Sequence, residues 1–343
     1  MKPAILGVCL MAVGLSASCG GRHIDFESDN AGGGDSNGNS NGNSGGNSGA
    51  GSMACLEGAG GPSSPLPACV PPPPALDLWI AFDSDRVELN RDVFVIRLSG
   101  RELRRLTQEP STEMEPTFSN DGMRLAFASD REGGIFQIYV LDLVSKAVAR
   151  VTNRAEGARE PAFSPDGASL AYRSGAAIYA SRTDATEERL LEDGLDSPSG
   201  AVTFSTDGAW IAYDDRGAIL ATRIDGSESR VLVPPTAASA SQAAISPDGF
   251  NLVLQASCED NFFKSGILVV PFSGVATSPC TAGRRLSQYA WPSAHPAWGP
   301  EGLVLWDANG DIMLFKDPIV TWLTRDSSDD RNPAWSPLGT QIP

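Results

Sequence analysis

The chain has 343 residues and carries a net charge of −16, with a pI near 4.5. An acidic surface of this kind repels nucleic acid and anionic lipid headgroups, so phosphate-backbone binding and polybasic membrane contact are excluded as functions.

The N-terminus, "MKPAILGVCLMAVGLSASCGG", has one Lys and an apolar run from Ala4 to Leu15. That run is too short to span a bilayer and reads as a signal peptide over residues 1–18. Its end, "LSASC", resembles the lipobox of bacterial lipoproteins, with Ser16 where that family usually has Leu. The resemblance implies lipid attachment at Cys19. Ordinary cleavage near Ala17 or Ser18, leaving Cys19 free, is the alternative. Gly20 after that Cys, in place of Asp, implies the outer membrane by analogy with enteric lipoproteins, on its periplasmic or surface face.

Residues 19–75 read as a tether. Residues 31–52, "AGGGDSNGNSNGNSGGNSGAGS", hold no apolar side chain larger than alanine and are expected to be disordered. The four prolines at 71–74 should form a stiff polyproline II spacer, and the whole tether reaches roughly 40 Å. Once Cys9 leaves with the signal and Cys19 goes to lipid, Cys55, Cys69, Cys258 and Cys280 remain. An even number in an exported chain reads as disulfides. Of three possible pairings, the sequence-local one, Cys55–Cys69 with Cys258–Cys280, is expected. Neither pair has CxxC spacing, which argues against a zinc ribbon or a redox motif. No metal or cofactor is expected.

From about Leu76 onward the chain repeats itself. Six cassettes align: "EPTFSNDG", "EPAFSPDG", "AVTFSTDG", "QAAISPDG", "HPAWGPEG" and "NPAWSPLG". Their aromatic or Ile positions (Phe118, Phe163, Phe204, Ile245, Trp298, Trp335) are spaced by 45, 41, 41, 53 and 37 residues. A period near 40 is the mark of a repeat fold. Each cassette is followed by an apolar run such as "RLAFAS", a second such as "QIYVLDL", and a short third such as "ARVT". Four short strands per unit, joined by Gly, Asp and Asn turns, describe a propeller blade. In "SPDG", Pro sets φ, Asp bonds its own backbone and Gly takes the positive φ. The domain opens on a second strand, "LWIAFDSDR", and closes on a first strand, "NPAWSPLG". The expectation is an all-β, six-bladed propeller over 76–343, closed by pairing of its N- and C-terminal strands so that the seam leaves no edge.

The pattern P-x-F/W-S-P-D-G, then I/L-A-F/Y-x-S-D-R, then I-Y-V and L-T, resembles the TolB-type β-propeller repeat (the PD40 or WD40-like repeat) across essentially all of 76–343. The last three cassettes depart: "AAIS" lacks the aromatic, "WGPEG" has Glu for Asp, and "WSPLG" loses the acid. The repeat specifies a fold rather than a function.

Catalytic patterns are weak. The two His are His23 and His295, and no Gly-x-Ser-x-Gly elbow occurs. No enzyme is expected. "DANGDI" at 307–312 resembles the start of a calcium loop but reads better as an Asn-Gly hairpin. "DSDR" at 83–86 and "ASDR" at 128–131 suggest ion pairing at a blade turn. The residue opening each cassette is Glu115, Glu160, Ala201, Gln242, His295 or Asn332. First strands of propellers line the central channel, so these six should ring one mouth. Either they are solvated strand ends or, with five of the six polar, a funnel that captures a segment of an envelope protein. The resulting expectation is a monomeric, lipid-anchored interaction module. A carbohydrate-binding or glycan-degrading propeller and a structural surface lipoprotein are the alternatives.

Overall fold

The computed structural model describes residues 78–342, apart from 88–89, 197–199, 236–238, 259–265, 275–277 and 288–292. The readings made for the signal peptide, the tether, Cys19 and the Cys55–Cys69 pair lie outside the described residues. Those that are described form six four-stranded antiparallel sheets. In five of them the strands follow chain order from the inside out. The sixth, blade 1, joins the last strand, Asp330–Trp335, to the first, Trp79–Ser84, through pairs such as Ile80↔Trp335 and Ser84↔Asp330. The first and last strands of the described residues therefore share one blade, as the incomplete first and last repeat units require.

The remaining inner strands are Glu113–Phe118 (blade 2), Arg159–Phe163 (blade 3), Thr203–Phe204 (blade 4), Ala240–Ile245 (blade 5) and Ser293–Trp298 (blade 6). Second strands are buried on both faces, as in "WIAFDS" of blade 1 and "VLWDA" of blade 6. This burial explains their near-continuous apolar runs. The core is divided into six clusters, one at each junction between neighbouring blades. Trp79 and Val95 of blade 1, for example, meet Phe118, Phe127 and Leu141 of blade 2, while Ile80 and Phe82 on the opposite face meet Leu305 and Ile312 of blade 6. At about 25 cal/mol per Å² of apolar surface, these junctions supply the main attraction that closes the ring.

The cassette turn is built as its letters suggest. In blade 2, Ser119 Oγ donates to Asp121 Oδ1 at 2.5 Å, and that same oxygen accepts the Met123 N–H at 2.9 Å. Gly122 takes φ 68° between them. The arrangement recurs at Ser164–Asp166, Ser205–Asp207 and Ser246–Asp248. Asn309 and Gly310, at φ 56° and 83°, form the tight hairpin joining Val304–Ala308 to Asp311–Lys316. The ion pairs of "DSDR" and "ASDR" are present, although each arginine, while bonding the Ser of its own motif, takes its acid from the inner strand. Arg86 holds both oxygens of Asp330 at 2.7 Å, and Arg131 lies 3.4 Å from Glu113. Cys258 and Cys280 form a disulfide, tying the segment just after the second strand of blade 5, Asn251–Ala256, to a one-turn helix, Pro279–Ala282.

Candidate functional site: the mouth of the axial cavity

All six inner strands line one cavity of about 600 Å³. Its wall is built from small side chains, Thr117, Ala162, Thr203, Ala244, Ala297 and Ala334, with the larger aromatics at the cassette-turn end. Glu115, Glu160, Ala201, Gln242, His295 and Asn332 all lie on this cavity, so the structure brings together the whole ring expected from sequence.

The way they are held is not visible in the sequence. Five of the six inner strands bulge there: the register slips between Met114 and Thr117, Arg159 and Ala162, Ser241 and Ala244, Ala294 and Ala297, and, in blade 1, Arg331 and Ala334, whereas the short strand Thr203–Phe204 pairs without a slip. At the bulge, Glu115, Glu160, Gln242, His295 and Asn332 adopt φ between 48° and 57°. That left-handed backbone favours glycine and costs a side-chain-bearing residue about 1 kcal/mol or more, so these positions carry a side chain at an energetic penalty.

Each bulge turns a backbone N–H toward the preceding blade, where an oxygen receives it, and in blade 4 the Gly200 N–H, ahead of the inner strand, takes the same role. Glu115 N–H goes to Asp83 Oδ1 at 3.0 Å and Glu160 N–H to Glu115 Oε2 at 2.7 Å. Gly200 N–H reaches both Glu160 oxygens, at 2.7 and 2.9 Å. Gln242 N–H goes to Asp214 Oδ1 at 3.4 Å, His295 N–H to Gln242 Oε1 at 2.9 Å and Asn332 N–H to Asp307 Oδ1 at 3.2 Å. The six links close into a belt around the mouth.

Two kinds of residue supply the acceptor. In blades 2, 3 and 5 it is the ring residue itself: Glu115, Glu160 or Gln242. In blades 1, 4 and 6, where the ring holds Asn332, Ala201 and His295, it is an aspartate of the second strand: Asp83, Asp214 or Asp307. The equivalent second-strand positions in the other blades are Ala128, Arg173 and Gln255, read from their pairing with the inner strand. Sequence reasoning missed these three aspartates as members of the ring. The signal was present: "AFDS", "AYDD" and "LWDA" hold an acid in the units whose cassettes open without a carboxylate or Gln.

Neither sequence reading of the ring describes this geometry. The side chains are not plain solvated strand ends, and they are not free to act as an open funnel. Asp83 also accepts Asn332 Nδ2 at 2.7 Å and Arg91 Nε at 2.5 Å. His295 Nδ1 lies 2.5 Å from Asp307 Oδ1. Glu115 accepts Arg159 at 2.6 Å, and Arg159 stacks over Phe136. Arg173, fully buried in blade 3, reaches Glu160 at 3.4 Å and donates to the backbone carbonyls of Gly200 and Asp214.

The electrostatics concentrate at blades 3 and 4. Burial and the neighbouring Glu115 charge push Glu160 up to about 8, against the lowering effect of the Gly200 N–H and Arg173. Burial likewise raises Asp214 to about 6, in spite of Arg173. At His295 burial disfavours the imidazolium, but the Asp307 carboxylate overrides it, leaving His295 above the ordinary histidine value. Among the described residues no group of three or more His, Cys, Asp and Glu has the arrangement of a metal site.

Residues 77–232 match the family described as PD40, TolB beta propeller domain. No curated protein matches the sequence. Among solved structures, TolB from Acinetobacter baumannii is similar at 17% identity and a TM-score of 0.62, over 76% of this chain and 66% of that one. This chain therefore spans about two thirds of that protein's length. A putative TolB from Agrobacterium tumefaciens matches at 18% identity and a TM-score of 0.56, over 77% of this chain and 100% of that one. A chain of a nidogen/laminin complex matches at 10% identity and a TM-score of 0.62, over 76% and 98%. At these identities the likeness is one of fold. With its 40-residue repeat, its six blades and the match over 77–232, the described part of the chain is a TolB-like six-bladed β-propeller.

Proposed function

We propose that this propeller is a non-catalytic binding module of the bacterial cell envelope, held to the outer membrane by lipid at Cys19, which receives a segment of a partner protein at the belted mouth of its cavity. The observation that carries the reading is the cavity itself. Its volume of about 600 Å³ lies in the range of ligand sites, about 300–1,000 Å³, and small side chains keep it open from the mouth inward. The inner edges of six sheets face it, so an extended segment would meet backbone donors and acceptors as well as polar side chains.

The belt defines what each residue contributes. Glu115, Glu160, Gln242, Asp83, Asp214 and Asp307 hold the rim to a fixed shape, while Thr117 and Thr203 form wall that an occupant would touch. A rigid rim lowers the entropy lost on binding, which favours affinity from a small contact area. A tether over residues 19–75, roughly 40 Å in reach, would let the propeller meet a partner at a distance from the lipid anchor.

The reading is tested by plugging the wall and leaving the belt intact. The Thr117→Trp, Thr203→Trp double variant should lose the partner that purifies with the wild-type chain while keeping its unfolding midpoint. Retention of that partner by the plugged variant would refute the cavity as its site.

A further inference from the structure

The belt decides which atoms of its side chains remain for an occupant. Glu115 takes the Glu160 N–H on Oε2 and Arg159 on Oε1, and both Glu160 oxygens face the Gly200 N–H. On that side of the mouth every ring carboxylate oxygen already accepts a bond, and Ala201 adds no polar side-chain atom. Blades 5, 6 and 1 differ. The His295 N–H requires an acceptor, so Gln242 turns Oε1 to it and leaves its Nε2 amide group over. The Asp307 carboxylate requires a donor, so His295 offers Nδ1–H and leaves Nε2. Asp83 likewise takes Nδ2 of Asn332 and leaves Oδ1. These three remaining atoms have no partner among the described residues, and none is buried. Their side chains line the cavity. Three consecutive blades thus present an amide donor, an imidazole nitrogen and an amide acceptor along one arc of the mouth.

The arc is polar, and the carboxylates behind it are each partnered. Asp83 is paired with Arg91 at 2.5 Å, and Asp307 with His295, whose imidazolium it favours. A free ammonium or carboxylate entering here would lose its water without meeting an unpaired opposite charge. An amide instead needs one acceptor and one donor, and the arc supplies both. Beside it the wall is Ala244, Ala297 and Ala334, side chains too small to obstruct an extended chain. Just inside the ring, Pro116, Pro161, Pro296 and Pro333 have no N–H, so in those blades the wall's own backbone offers no donor at that level. The carbonyls of an occupant depend there on side chains such as Gln242.

We propose that this arc recognises the uncharged main chain of an extended peptide segment: Gln242 Nε2 donates to one of its carbonyls, and Asn332 Oδ1 accepts one of its N–H groups. His295 Nε2, between them, accepts as the neutral imidazole and donates as the imidazolium, so it serves either kind of group. The inference rests on the reading of the cavity as a binding site and adds the chemistry by which the mouth holds its occupant. Recognition through the main chain gives affinity with little dependence on the occupant's side chains.

The test titrates the full chain with N-acetyl-trialanine N-methylamide, a peptide with uncharged ends, and follows the Gln242 side-chain amide and Thr117 methyl resonances. Both should move on one binding curve, with nuclear Overhauser contacts between the peptide and the Gln242 amide group. Gln242→Glu keeps an oxygen for the His295 N–H but puts an oxygen in place of the donor. Read at Thr117, it should weaken the peptide by roughly tenfold, as a carbonyl facing no donor requires. Should that variant fold poorly, the wild-type contacts decide: a bound peptide that lacks them overturns the arc. Equal affinity in the wild type and Gln242→Glu, with binding lost in the Thr117→Trp, Thr203→Trp variant, overturns the arc and leaves the cavity as a site. Binding that survives this plug, read at Gln242, refutes the cavity as well. A larger response to acetate, methylammonium or N-acetylglucosamine than to the peptide overturns main-chain recognition, as does no response to the peptide at its solubility limit.

Discussion

The Glu115 carboxylate accepts the backbone N–H of Glu160, its counterpart in the next blade, at 2.7 Å. One residue type at one repeat position thus acts as both donor and acceptor, and the belt is the repetition of that relationship around the ring. Glu115→Ala leaves a part-buried N–H without a partner and should cost about 1–3 kcal/mol. Glu115→Gln keeps an oxygen in place and should cost well under half as much. Urea unfolding of both variants at pH 7 measures the difference, and equal losses would show that the side chain's packing matters rather than its acceptor.

The His295–Asp307 pair gives a second prediction. Asp307→Asn retains an oxygen for the Asn332 N–H but removes the charge that offsets burial at His295. The imidazole should then titrate below the wild-type value, as followed by its ring proton resonances. Since the wild-type value is raised, the stability from this pair is complete below pH 6.5 and is lost as pH rises through the raised value. In Asp307→Asn that part of the pH dependence should disappear.

The cassette turns carry the opposite pH dependence. Hydrogen bonds from the Ser164 and Ser205 hydroxyls hold Asp166 and Asp207 below the ordinary 3.8. Their contribution is present above 3.8 and is lost as pH falls through the lowered values. Asp166→Ala removes two short hydrogen bonds and should destabilise by about 1–2 kcal/mol at pH 7, with a smaller penalty near pH 2. A penalty that does not change with pH would mean the Asp acts through turn conformation alone.

The Cys258–Cys280 disulfide closes a separation of 22 residues. Loop-closure entropy for such a span gives a stabilisation of roughly 3 kcal/mol. The Cys258→Ala, Cys280→Ala double variant should show that loss in the unfolding midpoint, and reduction of the wild type should reproduce it. No change on reduction would place the bond outside the cooperative fold.

The propeller was legible because each blade repeats the same solution. "FSPDG" is a turn whose Ser, Asp and Gly each have a local task, and a local task leaves a fixed spacing in sequence. Closure through Trp79–Ser84 and Asp330–Trp335 could be read from the incomplete units at each end. The ring at 115, 160, 201, 242, 295 and 332 was also legible, from position alone. The belt was not, because each link joins residues far apart in the chain, such as Gln242 and His295. The positive φ at those positions was hidden too, since Glu, Gln and His do not advertise a left-handed backbone as Gly does. Asp83 and Asp307 are hidden by the local motifs that contain them, "DSDR" and "DANGDI", and Asp214 by the strand run it ends, so none of the three points to the ring residue of its blade.

The central claim is that a partner segment enters the cavity past this belt. It is tested most directly with a photo-cross-linking amino acid at Thr117, on the cavity wall, against the same group at Asp184, in an exposed outer turn. In intact cells, light should give one discrete protein adduct from position 117 and none of the same mass from 184. The adduct should vanish when Thr203→Trp is added. An identical adduct from both positions, or one that survives the plug, would contradict entry into the cavity.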